Sequence, residues 1–433
     1  MKKILLTLIF GLSLLATPAL AIHGSDHELP PTVETYESLN LFGEIFNLIR
    51  VNHVDSHVDK ELIDEAIKGM IKALDKHSRY LTPEDFVRLQ EAASGRYFGI
   101  GAEVDWNEEK KFIIMVRPME GSPAEKAGIK PGDVVIEING KLTVEIGSLR
   151  KSIIMIKGPR GTKVVLTIVR NGIEKPIKIT VTRGEIQQKT VRFRIINENI
   201  MYIRLSQFSR QSSVEVARAI RIMKGDIDGM ALGLFLDFRN NPGGLLDQAI
   251  AIADMFLDEG MIVETRPRNS DGNTAVFARD GQIVRKDLPI IILINKNSAS
   301  ASEIVAGTLK DLHRATLVGT KSYGKGSVQT VIPLFNGGAL RLTIAKYYTA
   351  GGTTPHDVGI APDVVLELPD EYWKDIPRME RRTHIDPQLQ KAIDVLDGIV
   401  GNATNDPPIP TRRPIRDIRL IYPSPNCTGG NAC

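Results

Sequence analysis

The hydrophobic positions change their period twice along the chain, and each change marks a new kind of structure. From Val33 to Ala93 they recur at three- and four-residue steps. One series runs Leu39, Leu41, Phe42, Ile45, Phe46 and Ile49, and another Leu62, Ile63, Ala66, Ile67, Met70, Ile71 and Leu74. Each series lies on one helical face. Thr82-Pro83-Glu84-Asp85 opens a further helix, with Thr82 as N-cap and Pro83 in the first turn. A helical domain is therefore expected over 33–94. From Tyr97 to Gly184 the texture becomes short apolar runs, 112–116, 134–138 and 164–169, separated by Gly and Pro clusters. That pattern predicts a compact β-rich domain over 97–184.

From Glu185 onward strands and helices alternate. Leu232–Asp237 and Pro289–Ile294 are continuous apolar runs, each leading through a polar turn into a periodic helix. Continuous rather than alternating hydrophobicity marks strands covered on both faces, so an α/β core is expected over 185–375. The fold class is thus mixed α/β and multi-domain. After Asp375 six prolines from Pro407 to Pro425 are interleaved with Arg412, Arg413, Arg416 and Arg419, and 376–433 reads as a basic, proline-rich tail.

The N-terminus changes the compartment. Lys2 and Lys3 precede an uncharged run that ends Thr17-Pro18-Ala19-Leu20-Ala21, the pattern of a secretory signal over 1–21 cleaved after Ala21. Export to a periplasm is expected, with membrane contact only peripheral or through an uncleaved N-terminus. The chain has 433 residues, 42% of them hydrophobic and 25% charged, which excludes wholesale disorder and a multi-span membrane protein. A net charge of +3 gives no reason to expect nucleic acid as a partner. The two cysteines, Cys427 and Cys433, lie in the last seven residues, so neither can staple a core. In an oxidising compartment they are free to close a small loop. His53, His57 and His77 have no ligand spacing and read as surface or packing residues. No metal and no organic cofactor is expected.

Three short segments could carry chemistry. After the 290–294 strand comes Ser298-Ala299-Ser300-Ala301-Ser302-Glu303, then a helix. A serine at such a turn sits beside backbone N–H groups and the positive end of a helix dipole, both suited to an oxyanion. Ser300 and Glu303 also make a capping box, which accounts for the same letters. A serine nucleophile needs a base. His313 and His356 lie outside any context that suggests a triad. Lys325, in Tyr323-Gly324-Lys325-Gly326-Ser327-Val328-Gln329, is better placed, because flanking glycines allow close packing and desolvation favours the neutral amine. In extended chain Gln329 shares a face with Lys325 and could hold it. The glycine spacing of a phosphate-binding loop is absent. The third segment, Asp237-Phe238-Arg239-Asn240-Asn241-Pro242-Gly243-Gly244, places paired glycines between a strand and a helix, where their N–H groups can point at a ligand or simply make a tight turn.

Together, in this order, the segments resemble the carboxy-terminal processing peptidases, the tail-specific proteases. The resemblance extends from Tyr36 to Leu366 and includes Leu74-Asp75-Lys76-His77-Ser78-Arg79-Tyr80-Leu81 and a PDZ-like Ala127-Gly128-Ile129-Lys130-Pro131-Gly132-Asp133. It implies Ser300 as nucleophile, Lys325 as general base and Gln329 as a third member. It assigns the oxyanion to the Ala301 amide and to the amide of Gly243 or Gly244. Tyr323 stands where many members have phenylalanine. The stretch Tyr347–Thr354 lacks the arginine of the family pattern, a departure that concerns substrate positioning.

In the PDZ-like domain, Tyr97-Phe98-Gly99-Ile100-Gly101 resembles a loop that binds a peptide's terminal carboxylate while the peptide adds as an edge strand. Phe98, Gly99, Ile100 and Gly101 are the candidate peptide-binding residues, with Phe98 and Ile100 beside an apolar terminal side chain. The expected function is an exported serine endopeptidase that captures unstructured C-terminal ends. Its partners would be proteins with exposed apolar C-termini, further copies of itself and an activating adaptor. The rival reading is a non-catalytic or partner-activated scaffold of the cell envelope.

Overall fold

The computed structural model describes residues 32–227, 231–268, 270–373 and 384–403. The signal over 1–21, both cysteines and the prolines from Pro407 onward lie outside them. The chain divides into two units, Met1–Met70 and Ile71–Cys433.

In the first unit, Val33–Asn52 is a helix whose N-cap Thr32 accepts the Thr35 N–H on Oγ1 at 3.2 Å. None of its residues is buried, and Leu39, Leu41, Phe42, Ile45 and Ile49 face outward. His53 and His57 hydrogen-bond to each other at 3.0 Å.

The second unit begins with the turn at Asp75, whose carboxylate caps the N–H groups of His77 and Ser78, and the Arg79–Leu81 strand. The Pro83–Ser94 helix follows. Thr82 accepts the Asp85 N–H at 3.2 Å, and Gly95 ends the helix in the left-handed region.

The β-rich domain is an antiparallel sheet in the order 102–107, 112–118, 134–138, 163–169, 177–182. Its core is Ile113, Met115, Val135, Ile138, Val164, Leu166 and Ile168. On Phe112–Pro118 and Lys163–Val169 most of these alternate with outward residues, as one covered face requires. Ala102–Asn107 stands at the edge of this sheet, paired with Phe112–Pro118.

The α/β core is a six-stranded sheet ordered 191–196, 200–205, 233–237, 290–294, 316–319, 364–365. The first pair is antiparallel and the others parallel. Every residue of Gly233–Asp237 and Ile290–Ile294 is buried. Alternation sends them to two different cores. Leu234, Leu236, Ile290, Ile292 and Ile294 pack with Val216, Ile220, Ile252, Ile304 and Leu309 of the three crossover helices. Phe235, Ile291 and Leu293 pack with Leu389, Ala392, Ile393 and Leu396.

Those last four residues correct the expectation of a tail from 376. Pro387–Ala403 is a helix, and Leu389, Ala392, Ile393 and Leu396 are 3% exposed or less. Their three- and four-residue spacing is an amphipathic signal that the prolines downstream obscure. The helix seals the second face of the sheet, without which Phe235 and Leu293 would meet water.

A further sheet wraps the site. It runs 79–81, 339–348, 261–267, 274–277, with Ser327–Pro333 also paired to Ala339–Tyr348.

Candidate active site

The two central strands end side by side, and their C-terminal turns interlock. Asp237–Gly244 leaves one strand and Asn295–Ser300 the other, the crevice position where open α/β sheets place their chemistry. Asn241 is the knot. Its carbonyl accepts the Ala299 N–H at 3.0 Å and the Ser302 hydroxyl at 3.0 Å. Its side chain donates to Leu205 O at 2.8 Å and accepts the Gly243 N–H at 2.9 Å. Ser298 Oγ donates to Phe238 O at 2.9 Å, tying the strands' first turn residues together. Gly243 has φ +96°, and a Cβ there would sit 2.6 Å from Ala299 O and 2.9 Å from Ala301 N. Only glycine lets this turn lie against the serine turn.

Ser300 itself has φ +56° and ψ −115°, a conformation that a β-carbon disfavours. Four hydrogen bonds hold it there. Its N–H donates to Glu303 Oε2 at 2.7 Å. Its carbonyl accepts the Glu303 and Ile304 N–H groups at 2.8 and 2.9 Å, and the Tyr347 hydroxyl at 3.1 Å. The Ala301–Asp311 helix begins at the next residue, so the Ala301 N–H belongs to the unpaired first turn.

Glu303 is more than a cap. It is 1% exposed and accepts four hydrogen bonds. Oε1 takes the Ser322 hydroxyl at 2.5 Å and the Gly324 N–H at 2.7 Å. Oε2 takes the Lys325 N–H at 2.9 Å together with the Ser300 N–H. One carboxylate oxygen therefore joins the backbone of Ser300 to the backbone of Lys325. Tyr323 N donates to Ser298 O at 2.9 Å, and Tyr347 N donates to Gly326 O at 3.0 Å, closing the same circle. The three segments singled out in the sequence meet here.

The glycines around Lys325 are filled by backbone. A Cβ on Gly324 would lie 3.0 Å from Gly359 N, and one on Gly326 would lie 2.6 Å from His356 N. The chain from Pro355 to Gly359 thus covers the lysine loop. Burial is the main cause that pushes the Lys325 amine down to about 8, with Arg341 and Arg79 adding to it and Glu303 opposing. Gln329 donates to Ser327 Oγ at 2.6 Å and Ser327 O at 3.3 Å, so its amide is held by the strand that leaves the lysine.

Of the two glycine amides, Gly243 N–H is engaged by Asn241 Oδ1. Gly244 bridges to Phe208, where Phe208 N donates to Gly243 O and Leu245 N to Phe208 O, both at 3.0 Å. That ladder leaves the Gly244 N–H outside its bonds.

Beneath the turn lies a buried ion cluster. Asp237, fully buried, accepts Arg239 Nε at 3.0 Å and Nη2 at 2.7 Å, and the Tyr202 hydroxyl at 2.6 Å. Arg239 also donates from Nη1 to Asp386 Oδ1 at 2.7 Å and Gln388 Oε1 at 3.1 Å. The Arg239 and Arg204 charges hold the Asp237 carboxyl well below the usual range against the cost of burial. Sequence reasoning missed Asp386 and Gln388 because it placed them in a tail. It also missed Tyr347, visible only as an aromatic in a strand.

In the β-rich domain, Phe98 is exposed and Ile100 buried. Gly99 pairs with Gly184, and Gly101 has φ +72°. These residues lead into the edge strand Ala102–Asn107. Gly158 N donates to Phe98 O at 3.4 Å, which brings the C-terminal end of the Leu149–Ile156 helix beside them.

Residues 199–366 match the model of peptidase family S41, and residues 114–170 match that of the PDZ domain. The carboxy-terminal-processing protease of Bartonella bacilliformis is 44% identical over 341 residues, covering 78% of this chain and 77% of that protein. The carboxyl-terminal-processing protease of Synechocystis is 38% identical over 350 residues, covering 80% and 79%. A solved Bacteroides fragilis structure assigned to the S41 proteases shares the fold, with TM-score 0.51 and 18% identity over 82% of this chain and 97% of that one. The fold is a PDZ domain followed by an S41 peptidase domain. The chain belongs to the carboxy-terminal-processing serine proteases.

Proposed function

We propose that the chain is an exported endopeptidase that cleaves with Ser300 and Lys325 and selects substrates by their free C-termini. The observation that carries the reading is the Glu303 clamp, which joins the nucleophile's turn to a lysine whose burial keeps much of its amine neutral near pH 8. In the acylation step the Ser300 hydroxyl attacks the peptide carbonyl while its proton passes to Lys325 Nζ. The oxyanion accepts from the Ala301 N–H and, since Gly243 is engaged, from the Gly244 N–H. The lysine ammonium then gives its proton to the leaving amine, and water releases the acyl group. Gln329 steadies the strand that follows Lys325. No step calls for a metal or organic cofactor.

The edge strand Ala102–Asn107, next to Phe98–Gly101 and the Leu149–Ile156 helix, suits an added substrate strand. Its occupants would be unstructured, apolar C-termini. The N-terminal 21 residues would direct export to the periplasm, and assembly with further copies or an adaptor would regulate the enzyme there.

The test uses the full chain with Ser300→Ala and Lys325→Ala, given an unfolded protein with an apolar or a charged end. Cleavage by the wild type alone, faster on the apolar end, is expected. Full activity in either variant overturns the Ser–Lys assignment, and equal rates on both ends overturn tail selection. Binding of the apolar end with no cleavage by any form would favour the scaffold reading.

A further inference from the structure

Two imidazoles by the Lys325 loop, His77 buried and His356 half-buried, are used by nothing described so far. His77 is 7% exposed, and its backbone is fixed on both sides. Its N–H is taken by Asp75 Oδ1 at 2.6 Å, and its carbonyl accepts Arg341 Nε and Nη2 at 3.1 and 2.8 Å. His356 sits on Gly326, the neighbour of Lys325, with its Cβ 2.8 Å from where a β-carbon would be. The two rings meet edge to face, centroids 6.2 Å apart and inclined by 62°. His77 Nε2 and His356 Nδ1 are both buried with no hydrogen-bond partner.

A buried polar nitrogen left unpaired is costly and rare, so such atoms point to a partner that arrives only in another state. The chemistry of the site supplies one. When Lys325 takes the proton of Ser300, a neutral amine becomes an ammonium with three donors in a buried pocket. Glu303, the carboxylate whose charge acts on Lys325, is already filled by four donors, and the Gln329 amide is held by Ser327. After burial, Lys325 is the strongest influence on the His77 ring.

We propose that His77 is a positioning residue for Lys325, its neutral ring accepting a hydrogen bond from the lysine ammonium formed as Ser300 attacks. No proton moves to the histidine. The proton goes from Ser300 to Lys325 and on to the leaving amine, and His77 stabilises only the intermediate charge state. His356 holds the ring from its edge. The proposal rests on the Ser–Lys reading above.

The surroundings keep His77 neutral at working pH. Burial, Lys325 and Lys76 push its pKa down, Asp75 opposes, and His356 adds to the lowering. Arg341 lies on its carbonyl side. Asp357 is occupied by Lys76 at 2.5 Å and by His356 Nε2 at 3.3 Å. Protonating His77 removes the acceptor and sets a second cation beside the base. The active form therefore needs both groups deprotonated, and the acid limb of kcat/KM against pH acquires a limiting slope of two on logarithmic axes.

The test compares full-length wild type, His77→Gln and His77→Leu on one unfolded substrate, with Lys325→Ala alongside and melting curves as a check on folding. Leucine removes the acceptor and should lower kcat about 10- to 100-fold while KM stays within about twofold. Glutamine keeps an acceptor that does not titrate, so its kcat should lie nearer the wild type and its acid limb should fall with a slope of one. A slope of two retained in His77→Gln, or a wild-type kcat in His77→Leu, overturns the proposal. Undiminished activity of Lys325→Ala overturns the Ser–Lys reading, and the proposal with it, whereas an inactive Lys325→Ala beside an unaffected His77→Leu refutes the histidine role alone.

Discussion

Replacing Glu303 by glutamine changes one atom of a buried residue, and four hydrogen bonds define what must follow. Both carboxylate oxygens accept two donors each, and three of the four donors are backbone N–H groups that cannot turn away. Glutamine offers one oxygen and one amino group, so two acceptor positions become a donor whichever way the amide lies. The less costly orientation keeps oxygen towards Ser300 and Lys325. It sets the amino group against the Gly324 N–H and against Ser322 Oγ, whose lone pair already accepts the Ile360 N–H at 2.6 Å. Two hydrogen bonds to a charged acceptor are lost, at about 1.5–3 kcal/mol each, so the variant should be less stable by about 3–6 kcal/mol. Urea unfolding of the full chain, followed by fluorescence, measures this. The pH profile of cleavage gives a second readout. Glu303 raises the Lys325 pKa, so removing its charge lets that value fall and moves the acid limb of activity to lower pH. A variant with the wild-type unfolding midpoint, or an acid limb moved upward, would refute the clamp.

Three other outcomes follow from the same geometry. Gly326→Ala puts a Cβ 2.6 Å from His356 N, so the covering loop must shift away from Lys325; cleavage should fall at least tenfold while binding of an apolar tail persists, measured by initial rates and by titration. Asp237→Asn leaves Arg239 short of its main partner inside the core and should cost about 3–5 kcal/mol at neutral pH in urea unfolding. The Asp237 carboxyl is held far below its unfolded pKa of about 3.9, so its contribution is complete above that value and is lost as pH falls below it; the variant's stability should fall less steeply in acid. Lys325 acts with the same sign in a higher pH window, because burial disfavours its charged form. Its pKa drops from 10.5 unfolded to about 8 folded, so the unfolded chain holds more protons between these values and stability should rise across that window. The rise is about 3 kcal/mol at most and should vanish in Lys325→Met, as calorimetry between pH 7 and 11 would record.

What could be read from the sequence and what could not differ in one physical respect, the distance along the chain over which the deciding contact is made. Thr82 reads as a cap because the N–H it accepts is three residues away, and the strand at 290–294 reads as buried because all five residues share one environment. Ser300 and Lys325 stand out because each sits in a turn whose small residues are adjacent. Glu303 reads only as a local cap, although two of its bonds reach residues 21 and 22 positions on. Tyr347 bonds Ser300 across 47 positions and Asp386 bonds Arg239 across 147, and neither partner leaves any trace in the other's neighbourhood. His77 is the extreme case, because the atom that matters has no partner in the structure at all. Periodicity and turn chemistry therefore locate the nucleophile and base, whereas the residues that set their geometry and charge are chosen by the fold. The expected tail was begun too early, at 376, for the related reason that one composition was extended over two segments. Prolines beyond Pro407 say nothing about Leu389, Ile393 and Leu396, whose spacing is helical and whose burial is what lets Asp386 and Gln388 reach the arginine under the glycine turn.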